Sequence, residues 1–393
     1  MNPRSLKLQA LREFNPSNEL AAVRVDRAQT ELKHGRAVVV VTTDPSAPVL
    51  LAAAVETLGS ARLHSLSALG QPLRLLLTAE RLHAMGWAKA PGACSLALNA
   101  PIAVDRLQRL AAVLPGSVPT VERANFDHAR PASPAMQAAL ALAKQARLVP
   151  ALLVLELPAT SLPALSQAQL LQVSDSDVAA LTHSPADGVL DGRPRLRRVS
   201  DAHVPIAACE DCTLVLFREL NGDAEHVAII VGQPDLSRPV AVRLHSACLT
   251  GDLLGSLRCD CGDQLRRGVE HLAEAGGVLL YLAQEGRGTG LANKLRAYRL
   301  QDAGLDTIDA DHYLGFSGDE RDFAPAVAML RELGISRIHL LTNNPHKIEF
   351  MRRGGLEVVE RVALLAPVNP HNARYVQTKH ERAGHLAQGV DGS

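Results

Sequence analysis

An excess of charge of either sign is what this sequence lacks: Lys plus Arg and Asp plus Glu both number 41, for a formal net charge of +0. Without a global basic field nothing holds a nucleic-acid backbone, which excludes a polymeric nucleic-acid partner. Long hydrophobic runs are missing as well. The amino-terminal MNPRSLKLQALREFN has no apolar signal core, and no later stretch approaches the roughly 20 uninterrupted apolar residues that cross a bilayer. A cytoplasmic protein with no membrane partner is expected. Cysteine is scarce, with six in 393 residues. That is far too few for a disulfide scaffold, and in a reducing compartment a tight cluster of cysteines points to metal or catalysis. Internal repeats and low-complexity tracts are absent too.

At roughly 100–200 residues per domain, the length predicts two domains. The first half is rich in Ala and Leu, with apolar runs at 37–41, 49–55 and 148–157. These read as buried strands or helix faces of an α/β arrangement. Segment 184–200, SPADGVLDGRPRLRRVS, has the punctuation and charge of an exposed connection, which sets the domains at 1–190 and 200–393. In the second half, strand-like HVAIIVG (226–232) and PVAVRLH (239–245) precede a loop carrying the cysteine cluster. A helix over 263–275 follows, with Leu265, Val269 and Leu272 on one face and Gly276-Gly277 as its stop. Strand VLLYL (278–282) leads into EGRGTG (285–290), then a helix with Leu291, Leu295 and Tyr298 at helical spacing. A helix around 324–333, strand RIHLLT (337–342), turn NNP and helix 346–353 repeat the order. Such alternation favours an α/β or α+β sheet whose loops gather at strand ends, where ligands bind.

The strongest chemical signal is Cys248-x10-Cys259-x-Cys261. Thiolates suit zinc, and three protein ligands leave the fourth position that a catalytic site keeps for water. A structural zinc site completed by a distant residue, or plain buried cysteines, would show the same spacing. Cys209-x-x-Cys212 could be half a zinc knuckle or a redox couple, although no second pair accompanies it. Cys94 stands alone and reads as a small hydrophobe.

Four segments lie around the cluster: RLHSACLTGDLLGSLRCDCGDQL, YLAQEGRGTGLANKLRAYRLQDAGLDT, LGFSGDERDF and LLTNNPHK. With the tail NPHNARYVQTKHERAGHL they resemble GTP cyclohydrolase II, in order and separation, from about 200 to 387. The resemblance implies a carboxy-terminal mixed sheet with helices and an enzyme that opens the guanine imidazole ring of GTP. Formate and pyrophosphate are released, and the diaminopyrimidine product enters riboflavin synthesis. It implies zinc on Cys248, Cys259 and Cys261, with magnesium expected on the triphosphate and a homodimer as the assembly. Asp319 and Arg321 match the family's proton acceptor and an arginine assigned as nucleophile toward the α-phosphate. Because a guanidinium stays protonated, stabilising transition-state charge is an equally good role for Arg321. Nucleotide contacts transfer to Arg243, Leu244, His245, Ser246, Ala247, Gln264, Glu285, Gly286, Arg287, Thr307, Thr342 and Lys347. Tyr298 falls at a family tyrosine, yet its place beside Leu291 and Leu295 also suits core. Ala247 stands where the family usually has Glu, and Ala283 where it usually has Arg. A GTP-binding regulator without turnover and a structural zinc protein are therefore the rival readings.

Residues 25–56, with segments 76–87, 129–136 and 140–156, resemble dihydroxybutanone phosphate synthase, an α/β domain. The acidic stretch that would bind magnesium there is replaced by Pro45, Ser46, Ala47 and Pro48, and Ala135 takes the place of a metal-binding histidine. Enolisation needs carboxylates and a divalent cation. The first domain is thus expected to keep that fold without its reaction.

Overall fold

A computed structural model describes residues 17–87, 90–98, 102–115, 129–181, 196–219, 224–382 and 384. The chain is mixed α/β with two seven-stranded sheets, as the alternation of its segments predicts. Close packing divides it into two units, 1–183 with 311–317 and 184–310 with 318–393. The expected connection at 184–200 lies largely outside the described residues. Its last residues, 196–200, do not run as an open connection but begin a strand, Leu196–His203.

In the first unit the apolar runs become strands. They are β1 (Val38–Val41), β2 (Val49–Ala54), β3 (Arg74–Leu77), β4 (Cys94–Ala97), β5 (Arg130–Pro131), β6 (Ala151–Leu157) and β7 (Leu171–Ser174). Their order is β5-β4-β3-β6-β2-β1-β7, antiparallel throughout except for β1 on β7. The sheet is buried on both faces, which is why its sequence shows continuous apolar runs and not alternation. Val39, Leu51 and Leu153 point into one core, and Val40, Ala52 and Val154 into the other, under helix Pro134–Gln145. Cys94 packs in the first of these cores.

The second unit holds β8 (Leu196–His203), β9 (Cys212–Glu219), β10 (Glu225–Val231), β11 (Val240–Ser246), β12 (Gly277–Leu282), β13 (Arg337–Leu341) and β14 (Glu357–Val362). The order is β14-β13-β11-β12-β10-β9-β8. From β14 to β12 all pairings are parallel, and from β12 to β8 all are antiparallel. On β11, Val242 and Leu244 enter the core beneath helix Ala324–Glu332, while Ala241 lies in the core on the opposite face, with Val269 and Leu272 of helix Cys261–Ala275. That helix ends where Gly276, at φ +72°, adopts a backbone conformation other residues avoid. No helix among the described residues is long and apolar enough to cross a membrane.

Candidate active site

The parallel half of the second sheet fixes where a ligand can sit. From β11 the chain runs through helix Cys261–Ala275 to β12 on one side, and from β13 through helix Pro345–Arg353 to β14 on the other. Adjacent parallel strands whose connections leave in opposite directions open a crevice at their carboxyl ends. Arg243 crosses it, its Nη1 donating to the Leu341 carbonyl at 2.9 Å and its Nη2 to Gln264 Oε1 at 2.7 Å. Burial pulls the Arg243 guanidinium down to about 10, so it is still cationic at neutral pH. Lys347 Nζ donates to the Leu244 carbonyl at 3.0 Å, and Thr342 accepts from the Asn344 N–H at 3.0 Å.

The loop leaving β11 carries the thiols. The sulfur atoms of Cys248, Cys259 and Cys261 lie within 4.8 Å of one another and could hold a metal ion. Two devices shape the loop. Asp252 Oδ2 accepts from the Cys248 N–H at 2.9 Å, from Tyr281 Oη at 3.0 Å and from His245 Nε2 at 3.0 Å. Gly251 donates its N–H to Cys248 Sγ at 3.3 Å, and a Cβ there would meet the Cys259 sulfur at 2.9 Å and the Cys248 sulfur at 3.1 Å. Cys261 opens a 15-residue helix, whose amino-terminal partial positive charge favours a thiolate. The Cys248 thiol is held far below its ordinary range by hydrogen bonds with Cys259 and Cys261, aided by Lys294. Burial pushes the His245 imidazole down, against the pull of Asp252, and leaves the ring neutral.

A second pair of loops meets the first. Gly286 and Arg287 both sit at positive φ, +62° and +57°, and Arg287 is not a glycine, a strained conformation that the surroundings must enforce. Arg287 is held there by its Nη1 donating to the Gly318 carbonyl at 3.1 Å and its own carbonyl accepting the Glu320 N–H at 3.1 Å. The facing loop contains Asp319 and Arg321, joined by a two-pronged ion pair with Nε to Oδ1 at 2.7 Å. Burial would raise the Asp319 carboxyl, but the charge and hydrogen bonds of Arg321 outweigh it and hold the group below the usual carboxylate range. Its side chain keeps 41% of its surface accessible, against 14% for Arg321, so it is reachable although closely ringed by protein.

Among the described residues, four buried side-chain atoms have no partner: Arg243 Nε, His245 Nδ1, Ser246 Oγ and Gln284 Oε1. They run from the middle of β11 to its carboxyl end and to just past the carboxyl end of β12. Buried polar atoms are almost always satisfied, so a group of orphans at one place marks where a ligand belongs.

The residues expected from sequence fall into distinct places. Arg243, Gln264, Thr342 and Lys347 gather at the β11–β13 crevice. The side chain of Leu244 is in the core and its carbonyl is taken by Lys347, while His245 is 3% exposed behind Asp252. Ala247 is half-buried and donates its N–H to the Leu282 carbonyl. Thr307, half-buried, opens helix Thr307–Leu314. Glu285 turns to the cysteine loop, its Oε2 accepting the Leu249 N–H at 2.6 Å. The helix face expected from Leu291, Leu295 and Tyr298 is corrected: Leu295 is 50% exposed, and Asn293 and Ala297 are the buried positions of helix Leu291–Asp302. Tyr298 therefore is no core residue of that stripe and reaches Thr250 Oγ1 at 3.5 Å. Asp252, Gln284 and Lys294 escaped the sequence reading, although all three lie inside the segments that carried it.

Fold and site define an α/β protein whose ligand crevice pairs a three-thiol cluster with buried cations. The family model described as GTP cyclohydrolase II matches residues 197–363. A GTP cyclohydrolase-2 of Azospirillum brasilense is 42% identical over 383 residues, covering 94% of this chain and 96% of that protein. One of Xylella fastidiosa is 40% identical over 372 residues, covering 94% and 89%. One of Cronobacter sakazakii is 50% identical over 196 residues, which are 50% of this chain and 99% of that protein. A solved two-domain 3,4-dihydroxy-2-butanone 4-phosphate synthase from A. baumannii aligns at 15% identity with a TM-score of 0.29, a likeness too slight to define a fold. The chain belongs to the GTP cyclohydrolase II family and is an enzyme of that family.

Proposed function

We propose that the chain opens the imidazole ring of GTP at a zinc ion, releasing formate and pyrophosphate and supplying a diaminopyrimidine ribosylamino phosphate to riboflavin synthesis. The observation that supports this most directly is the set of three sulfur atoms within 4.8 Å of one another beside the orphaned polar atoms of β11. Three thiolates are a donor set that zinc favours, and the hydrogen bonds from Gly251 and the Cys248 N–H hold the loop in that form. Zinc there would supply the Lewis acidity that makes water a nucleophile toward the electron-poor C8.

The remaining work belongs to the side chains. Arg243, Arg287 and Lys347 bind the triphosphate, with magnesium offsetting its remaining charge. Asp319, kept ionised by Arg321, accepts a proton. Arg321 stabilises negative charge at the α-phosphate as pyrophosphate departs. The enzyme works in the cytoplasm as a homodimer. Residues 1–190 form a non-catalytic domain: Ala135 is 3% exposed in a helix facing the core, and the Asp44 carboxylate is engaged by the N–H and hydroxyl of Ser46. Purified protein incubated with GTP, zinc and magnesium should release formate and pyrophosphate together. GTP binding with no formate would instead favour a regulator, the reading that Ala247 and Ala283 suggest.

A further inference from the structure

Lys294 is an expensive residue to place where it is. Its side chain is 11% exposed on helix Leu291–Asp302, and a buried ammonium must be paired to be tolerated. Nζ donates to Glu285 Oε1 at 2.8 Å and to Cys248 Sγ at 3.0 Å, and it stands 5.8 Å from the centroid of the Tyr298 ring. The Glu285 carboxylate is shared: it also accepts the N–H groups of Leu249 and Gly286. Glu285 thus ties the 285–288 loop to the residue following Cys248 and aims the ammonium at the sulfur. A helix-to-loop ion pair alone would not need that second contact.

We infer that Lys294 is a positioning residue of the metal centre: it fixes the Cys248 sulfur by a charge-assisted hydrogen bond and offsets part of the negative charge of the three thiolates. The inference rests on the zinc reading above. Three thiolates carry one more negative charge than a dication removes. A cationic donor beside one sulfur relieves their mutual repulsion and fixes that sulfur at its place in the ligand set, which favours binding. It also draws density from the sulfur, which raises the energy of its charge-transfer band. Outer partners of this kind typically alter metal affinity or activity by 10–100-fold. Glu285 holds the lysine in place, a role separate from contact with nucleotide.

The test uses the full-length protein and reads the metal, not turnover. Zinc affinity is measured against a chromophoric chelator, and the sulfur-to-metal charge-transfer band is recorded after cobalt(II) substitution. Lys294→Met should weaken zinc binding about tenfold and move the band to longer wavelength, because the sulfur has lost its donor. Lys294→Arg, which restores a cationic N–H donor, should bring both back toward the parent. Should Lys294→Met not fold, Glu285→Gln carries the test: without the carboxylate that aims the ammonium, the sulfur loses part of its donor, and the band should move to longer wavelength, as in Lys294→Met. Parent-like affinity and band position in Lys294→Met, or an unmoved band in Glu285→Gln, would overturn the inference while leaving zinc intact. A parent protein that binds neither ion would overturn the zinc reading itself.

Discussion

The two sheets have the same number of strands and differ in what their interiors hold. Among the described residues of the first unit the polar groups that are buried are consumed by the fold: Arg74 donates to the Ser95 hydroxyl and carbonyl, Arg81 to the Leu110 carbonyl, and Asp177 is clasped by Arg24. In the second, Arg243, His245, Ser246 and Gln284 keep atoms in reserve along β11 and just past β12. An interior whose polar atoms are all used is finished as a structure, whereas one with orphans is finished by a ligand. The contrast is an argument, independent of any motif, for placing the proposed function in the second unit.

The largest expected effect removes the second unit's distinguishing cluster. Cys259→Ser takes away one of the three proposed zinc ligands, so formate release should fall to background and metal content below one per chain. Full metal content with normal formate release would break the comparison at its centre. Next is Arg321→Ala, which should lower turnover by roughly 10²–10³, the usual loss for one preorganised donor, with a much smaller change in GTP affinity. Arg321→Lys keeps the charge without the fork and should recover only part of the rate. It should also shift the acid limb. Arg321 holds the Asp319 carboxyl below its ordinary range, so a weaker partner lets that pKa rise, and turnover that needs the ionised carboxylate should fall away at a higher pH. An unmoved acid limb of kcat would remove Asp319 from the role of proton acceptor.

Much of this contrast was legible in the sequence, for reasons that differ by element. β2, β6 and β11 are buried on both faces and so announce themselves as apolar runs. β8 is an edge strand, LRRVSDAH, nearly all of it exposed, and its polarity reads as connection. The cysteine spacing disclosed the thiol cluster because its members are close in sequence. Lys294 did not disclose itself, since its partner Cys248 lies 46 residues away and nothing local says where an ammonium points. The Leu291–Leu295 stripe misled because the helix buries Asn293, whose amide donates to the Thr289 carbonyl, and Ala297, and apolar spacing cannot register a face that includes a buried polar residue.

A core substitution in the first unit probes the other half of the comparison. Leu153 is fully buried in β6, so Leu153→Ala should cost about 2–5 kcal/mol of that unit's stability. Formate release at low temperature should stay near the parent if that unit is a scaffold. The same fragment of chain, 1–190, should form no dihydroxybutanone phosphate from ribulose 5-phosphate with magnesium supplied, because Ser46, Pro48 and Ala135 offer neither carboxylate nor imidazole. Product above background would give the first unit a chemistry of its own.

The smallest expected effect concerns the remaining cysteine pair. Cys212 is 0% exposed where β9 begins, packed with Val231, Ala241 and Leu272. Burial, and after it the Cys209 thiol, push its pKa up to about 11. Metal ligation and thiol exchange both need the thiolate, and at neutral pH this sulfur keeps its proton, the reverse of Cys248. Among the described residues the trio at 248, 259 and 261 is the group close enough to share an ion, and neither Cys209 nor Cys212 joins it. Cys212→Ala should therefore remove a small buried hydrophobe and little else: roughly 1 kcal/mol of stability, unchanged zinc content, and turnover within about threefold of the parent, a difference below 1 kcal/mol in the barrier. Zinc stoichiometry and steady-state kinetics on the folded variant decide the matter. A loss of metal, or of turnover well beyond that limit, would extend the second unit's chemistry to a pair that its geometry treats as core.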